Sequence, residues 1–233
     1  MKIQTLLASL LVSSAAMAQT PTMKPIVMKT PNEFQILAAS GNGKWACGVY
    51  SDYSNVQYGF LWNLETGEIE MLDPSKPSVA WSVSDDGLVV GQYEDTSYKS
   101  NGAAVELAGY WANGKWNRFE MPSDEVSGAG AASISPDGHY VTGHVEESGI
   151  YTGYIWKDGK IAKELINTNC SMPYAIAPDG QSAAGWIQRD NRTACIWEAD
   201  GEVTFLSDYQ SPWSSARKYT HDGKNLLYWG GWD

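Results

Sequence analysis

Beyond its first eighteen residues this sequence holds no long apolar run, and nothing in it approaches the roughly 20 residues that a membrane-spanning helix needs. Cysteine is scarce as well. Cys47, Cys170 and Cys195 are an odd set, which excludes a disulfide framework. Basic residues number 16 against 27 acidic, so the net charge is −11, and about −12 once Lys2 leaves with a leader. Nucleic acid and anionic membrane surfaces are therefore disfavoured partners.

Chemistry-bearing motifs are missing too. No Cys and His cluster has zinc spacing, and Asp85-Asp86-Gly87 lacks the further carboxylates of a calcium loop. His139 and His144, read as five apart on one strand, face opposite ways and cannot share a metal. Gly128-Ala129-Gly130 is followed by neither a Lys-Ser/Thr pair nor a helix, so it is no phosphate loop. These patterns lead us to expect no catalytic residue, no metal and no cofactor. Apolar residues at helical spacing never persist for three turns, which excludes a solenoid of helix pairs.

What the chain does have is a repeat. Gly43, Gly87, Gly138, Gly180 and Gly223 each close a short turn, spaced 44, 51, 42 and 43 residues apart, and four of the five follow an Asp. After the first four turns comes another Gly (Gly48, Gly91, Gly143, Gly185), then an aromatic strand ending in Trp62, Trp111, Trp156 or Trp197. A second Gly turn follows, at Gly67, Gly114, Gly159 and Gly201, with an alternating strand after it. Asp-Gly or Asn-Gly between alternating apolar runs signals a hairpin. Each unit therefore reads as four short strands in a meander, and a period of roughly 40 to 50 residues is that of a β-propeller. Four Phe against 11 Trp and 13 Tyr suits half-buried twisted sheets. Cys47 and Cys195 fall at apolar positions of the repeat and are expected to be buried thiols.

Lys2, the apolar segment Leu6 to Val12 and the small-x-small site Ala16-Met17-Ala18 predict a secretory signal peptide over 1–18. The chain is expected to be exported, periplasmic or secreted, without membrane insertion. Residues 19–33 form an extension in which Pro25-Ile26-Val27-Met28-Lys29-Thr30 is a candidate closing strand. Residues 34–233 hold the repeats, with units near 34–72, 79–121, 131–166 and 174–206 and a partial one at 216–233. The ending Tyr228 to Asp233 lacks the later Trp strand, which favours a truncated piece of a larger propeller over a five-bladed ring with a thin last blade. An open arc of this kind would have exposed edges.

The phrases Ile134-Ser135-Pro136-Asp137-Gly138-His139-Tyr140-Val141-Thr142-Gly143 and Tyr154-Ile155-Trp156-Lys157-Asp158-Gly159 resemble the WD-like propeller repeats of secreted bacterial proteins. They are similar to HAF-type repeats and to the Ser-Pro-Asp-Gly repeats of the periplasmic propeller in the Tol-Pal system. The resemblance covers residues 34 to 233. It implies an all-β propeller of four-stranded antiparallel blades acting as a binding platform, with no shared catalytic residues to carry over. Gly41-Asn42-Gly43 departs from the Ser-Pro-Asp-Gly pattern, the Gly-His and Trp-Asp marks of eukaryotic WD repeats are missing, and the sialidase Asp box is not matched.

In such a blade the short Asp-Gly turns lie on one face, and the variable links lie on the other. Variable loops on a rigid scaffold are where binding sits. This face is expected to gather Asp52, Glu94, Asp95, Asp124, Glu125, Glu146, Glu147, Asp190 and Asp208 beside Tyr53, Tyr98, Tyr151, Tyr209 and Trp213. Trp62, Trp111, Trp156 and Trp197 recur once per unit and read as core. Trp81, Trp186 and Trp213 do not recur and are candidates for a ligand surface. The binding candidates are thus Tyr53, Trp81, Asp95, Tyr98, Glu146, Tyr151, Asp190, Tyr209 and Trp213. Two functions follow: a non-enzymatic scaffold binding protein or glycan, and, as the alternative, a glycoside hydrolase or lyase with carboxylates converging from several blades. Oligomeric state leaves no trace in the sequence.

Overall fold

The structure, a computed structural model, describes residues 33–100, 102–165, 170–206 and 213–230. The expected leader, the candidate strand Pro25 to Thr30, and Asp208 and Tyr209 lie outside the described residues. The first blade comprises β1 (Glu33–Ala39), β2 (Trp45–Ser51), β3 (Gln57–Asn63) and β4 (Ile69–Met71). The second comprises β5 (Ser78–Val83), β6 (Val89–Ser100), β7 (Ala103–Ala112) and β8 (Lys115–Arg118). The third holds β9 (Gly128–Ile134), β10 (Tyr140–Glu147), β11 (Ile150–Lys157) and β12 (Lys160–Leu165). The fourth holds β13 (Ser171–Ile176), β14 (Ala183–Gln188), β15 (Arg192–Trp197) and β16 (Val203–Phe205), and the fifth β17 (Ser214–Tyr219) and β18 (Leu226–Gly230). Strands pair antiparallel in chain order within each sheet, giving a β-propeller of four complete blades and one partial blade.

The Ser-Pro-Asp-Gly phrase has a local cause. Ser135 Oγ donates to Asp137 Oδ1 at 2.5 Å and accepts the Tyr140 N–H at 2.9 Å, while Asp137 Oδ1 also accepts the His139 N–H at 3.1 Å. Hydroxyl and carboxylate together satisfy the turn's backbone donors. Ser40 with Asn42, Ser84 with Asp86 and Thr220 with Asp222 repeat the arrangement. At the other turns, Asn113-Gly114 and Asp158-Gly159 take positive φ in pairs, the geometry of a two-residue hairpin loop.

The second repeated glycine answers a crowding that spacing alone does not reveal. Each inner strand carries one extra, unpaired residue: Leu37, Trp81, Ala132, Tyr174 and Arg217. This bulge drives a carbonyl oxygen onto the neighbouring strand. A Cβ built on Gly48, Gly91, Gly143 or Gly185 would overlap the carbonyl of Gln35, Val79, Gly130 or Met172 respectively. By register, Tyr228 stands at this position in the fifth blade.

The blades interlock through two devices. Apolar side chains from consecutive sheets merge into shared clusters; one joins Val90, Leu107 and Phe119 of the second blade and its exit to Val141, Tyr154 and Trp156 of the third. A serine at the start of an inner strand then latches onto the preceding blade. Ser78, Ser171 and Ser214 Oγ accept the N–H of Gly59, Gly153 and Ala194 at 3.0, 2.9 and 2.8 Å. Ser171→Ala strands the buried Gly153 N–H and is expected to cost about 1–2 kcal/mol, read as a lower urea midpoint at unchanged m-value.

Three of the four recurring tryptophans are core: Trp62, Trp156 and Trp197. Trp111 is only half-buried, its N–H on Glu70 Oε1 at 2.8 Å, and Trp116 fills the interior instead, stacked on Tyr93 with centroids 5.5 Å apart. Cys47 and Cys195 are free and buried, and burial raises both thiols, Cys47 to about 12.

Inner strands rich in Gly, Ala and Ser let the blades converge on a narrow axial cavity of about 140 Å³ lined by Ala39, Ser133, Ile176 and Lys218. At one mouth the Asp-Gly turns meet. Asp85 accepts the Asn42 N–H at 2.9 Å, donates its own N–H to Pro136 O at 2.9 Å, and lies 3.9 Å from His221 Nε2. The His221 ring fills the space above Gly41, so the fifth blade's turn touches the first blade's at the axis.

Candidate functional site

The turn face is committed to its own hydrogen bonds. The opposite face carries the links, and two of these differ from their expected form. Glu94 to Val105 is not a loop: β6 and β7 continue as a ladder to Ser100 and Ala103, interrupted only between Asp95 and Lys99. Glu146 to Tyr151 is likewise a tight hairpin, with Ser148-Gly149 both at positive φ.

On this face a cavity of about 380 Å³ opens between the second and third blades and reaches Met172 of the fourth. Gln92, Glu106, His144, Glu146 and Tyr151 line it. Trp81, the bulged residue of β5, stands beside it, 40% exposed, its N–H on Gln92 Oε1 at 3.2 Å. Gln92 in turn donates to Glu106 Oε2 at 2.7 Å. Glu146 raises the Tyr151 phenol through its charge, with burial and a hydrogen bond between the two adding to it. The His144 ring lies edge-on to Tyr151, with centroids 5.4 Å apart.

Burial pushes His144 down to about 4 from its ordinary 6.5, so the imidazole is neutral near pH 7. The unfolded chain takes up this proton before the fold does. The stability contributed by a neutral His144 is therefore fully present above pH 6.5 and is expected to be lost between about 6.5 and 4, on the order of 3 kcal/mol. His144→Gln is expected to flatten the urea midpoint against pH in that window. His139, by contrast, sits in the turn before β10 and not on the strand, its Nδ1 2.7 Å from Asp158 Oδ1. The two histidines are kept apart because His139 lies in the turn outside β10 while His144 sits within the strand, not by alternation along one strand.

The predicted site residues fall into separate places. Trp81, Glu146 and Tyr151 come together at the cavity. Asp95 and Tyr98 do not join them. Asp95 is 8% exposed, and although burial opposes its charge, the hydroxyl and N–H of Ser97, the Tyr93 hydroxyl and Arg118 hold it below the ordinary carboxylate range. Tyr98 Oη accepts the Val126 N–H at 3.1 Å and its ring lies under Arg118, so it anchors the exit from the second blade. Tyr53 is 93% exposed and Asp190 is exposed in its own turn, and neither meets the others.

Trp213, half exposed, belongs to a second cluster on the fourth and fifth blades. Arg192 Cζ lies 4.9 Å from its ring and 4.5 Å from that of Trp186, which is buried and donates to Tyr174 Oη at 3.3 Å. Trp186 is thus a floor for Arg192 and not an open ligand platform. The residues that sequence reasoning passed over are Gln92, Glu106, Tyr174, Arg192 and Arg217. The bulges at Tyr174 and Arg217 arise from strand register and carry no sequence signature of their own, whereas the arginines had one: only four occur in the chain. Among the described residues no three His, Cys, Asp or Glu side chains group as metal ligands, and no helix is long and apolar enough to cross a membrane.

No protein-family model and no curated protein matches the sequence. Among solved structures the chain is similar to a TolB-type protein from Agrobacterium tumefaciens, with a TM-score of 0.55 and 14% identity over 84% of this chain and 73% of that one. TolB from Acinetobacter baumannii gives a TM-score of 0.48 and 16% identity over 86% of this chain and 55% of that one. The chain thus spans little more than half the length of the Acinetobacter protein. At such identities the likeness to the Agrobacterium structure is one of fold, that of a β-propeller.

Proposed function

We propose that the protein is an exported, non-enzymatic propeller scaffold that binds a glycan or protein ligand through its loop face. One contrast carries this reading. The turn-face hydroxyls and carboxylates close the turns' own backbone donors, whereas Gln92, Glu106, His144, Glu146 and Tyr151, bonded in part to one another, line an open cavity beside an exposed indole. A concave site with a few convergent polar groups and a flat ring is how small ligands and sugar units are held. Export rests on the leader pattern of residues 1–18.

The test is a titration of purified protein against a panel of oligosaccharides and peptides, followed by Trp fluorescence. Trp81→Ala and Glu106→Gln should each weaken a detected ligand about ten-fold, equivalent to ~1.4 kcal/mol, while leaving the urea midpoint near wild type. A ligand held equally well by both variants would place binding elsewhere. The second reading, a sugar hydrolase or lyase, draws on Glu106, Glu146 and His144 sharing the cavity. It requires new sugar ends to appear on incubation with a glycan, and Glu146→Gln to stop their release.

A further inference from the structure

Two arginines of this acidic chain, Arg192 and Arg217, have no carboxylate partner among the described residues. Neither Arg192 nor Arg217 makes a side-chain hydrogen bond or ion pair among the described residues, and both are exposed. Each is instead set between rings. Arg192 lies 4.5 and 4.9 Å from Trp186 and Trp213, and Arg217 lies 4.2 and 6.0 Å from Tyr174 and Trp229. Ring contacts occupy the faces of a guanidinium and leave its in-plane N–H fork unspent, the geometry that grips a carboxylate by two parallel bonds. Trp213 and Trp229, 51% and 47% exposed, still offer apolar surface beside the forks.

The two stacks are joined to each other and to the cavity. The Trp186 N–H donates to Tyr174 Oη, and Tyr174 contacts the Met172 sulfur at 3.0 Å, with Met172 lining the cavity wall. The track is therefore anionic at the second and third blades, where Glu106 and Glu146 stand, and cationic and aromatic at the fourth and fifth. We infer that the Arg192 and Arg217 stacks are a subsite for a carboxylate-bearing sugar residue, the ligand being an acidic oligosaccharide whose uncharged part extends toward Trp81. This rests on the loop-face reading above. A uronic acid unit presents an apolar C–H face to an indole and a carboxylate to the neighbouring fork, whereas Glu106 and Glu146 repel that carboxylate from the other end of the track.

The experiment is calorimetric titration of the full chain with glucuronosyl-xylotriose, a single carboxylate on otherwise neutral units, its methyl ester and a hexaglutamate peptide. Glucuronosyl-xylotriose should bind at least about ten-fold more tightly than its ester and weaken with added salt. Arg192→Gln and Arg217→Gln should each remove about ten-fold of that affinity, and Arg192→Lys should lose nearly as much, since lysine keeps the charge but not the fork. The lysine variant, with its urea midpoint checked, separates lost recognition from lost folding. Equal binding of acid and ester, abolished by Trp81→Ala, would overturn the acidic subsite and leave the loop-face scaffold standing. Binding of hexaglutamate with no response to either sugar would overturn the glycan class. If none of the three binds and the arginine variants change only the urea midpoint, the stacks are packing and the inference falls.

Discussion

Trp156→Ala is expected to lower stability by about 3–5 kcal/mol, the largest loss from any single truncation in the second-to-third blade interface. The side chain is wholly buried and its ring sits 5.3 Å from Phe119 and 5.9 Å from Tyr154. Its N–H donates to Glu120 O at 2.8 Å, in the segment that leaves the second blade. Truncation therefore opens a cavity and strands a carbonyl in the same step. Trp111→Ala tests whether the repeat position or the local packing sets the cost. With Trp111 half-buried and bonded to an exposed glutamate, a loss of only about 1–2 kcal/mol is expected. Equal urea midpoints for the two variants would show that the repeat position alone governs stability.

Gly143→Ala is expected to cost about 3 kcal/mol or more, although it adds a single methyl group to a solvent-protected strand. The new Cβ overlaps the carbonyl of Gly130 and crowds the Cα of Ala131, and both are backbone atoms held by the β9–β10 ladder. Relief requires the bulge at Ala132 to straighten or the strands to part. Gly67→Ala is the matched control. Gly67 takes φ +81 in an outer turn with no atom near the added methyl, so only the left-handed backbone is penalised, by roughly 1 kcal/mol. The difference in urea midpoint between the variants measures the bulge contact. Faster amide exchange confined to β9 and β10 in Gly143→Ala would locate the damage, whereas near-equal midpoints would show that the strands yield without cost.

Much of the fold could be read from the chain because its causes are local. An Asp-Gly or Asn-Gly pair reaches positive φ wherever it occurs, and Ser135 with Asp137 satisfies its own turn, so the hairpins and the meander follow from neighbours in sequence. The site was less legible. Asp95 and Tyr98 look like surface groups in a polar stretch, yet Arg118 and Ser123 to Val126 fold back over them. Trp186 looks free because it does not recur, yet Arg192 and Tyr174 cover it. Each of these outcomes depends on what a distant segment brings to the same place.

The sequence by itself determined the number of repeats, the meander of each blade, the turn chemistry and the acidic surface, since each rests on short-range geometry or on composition. Only the tertiary structure decided which indole fills each interface, why the second glycine of each repeat tolerates no side chain, and which side chains meet at the loop face. Those depend on strand bulges and on contacts between blades some forty residues apart, and spacing along a chain does not encode how closely two sheets approach.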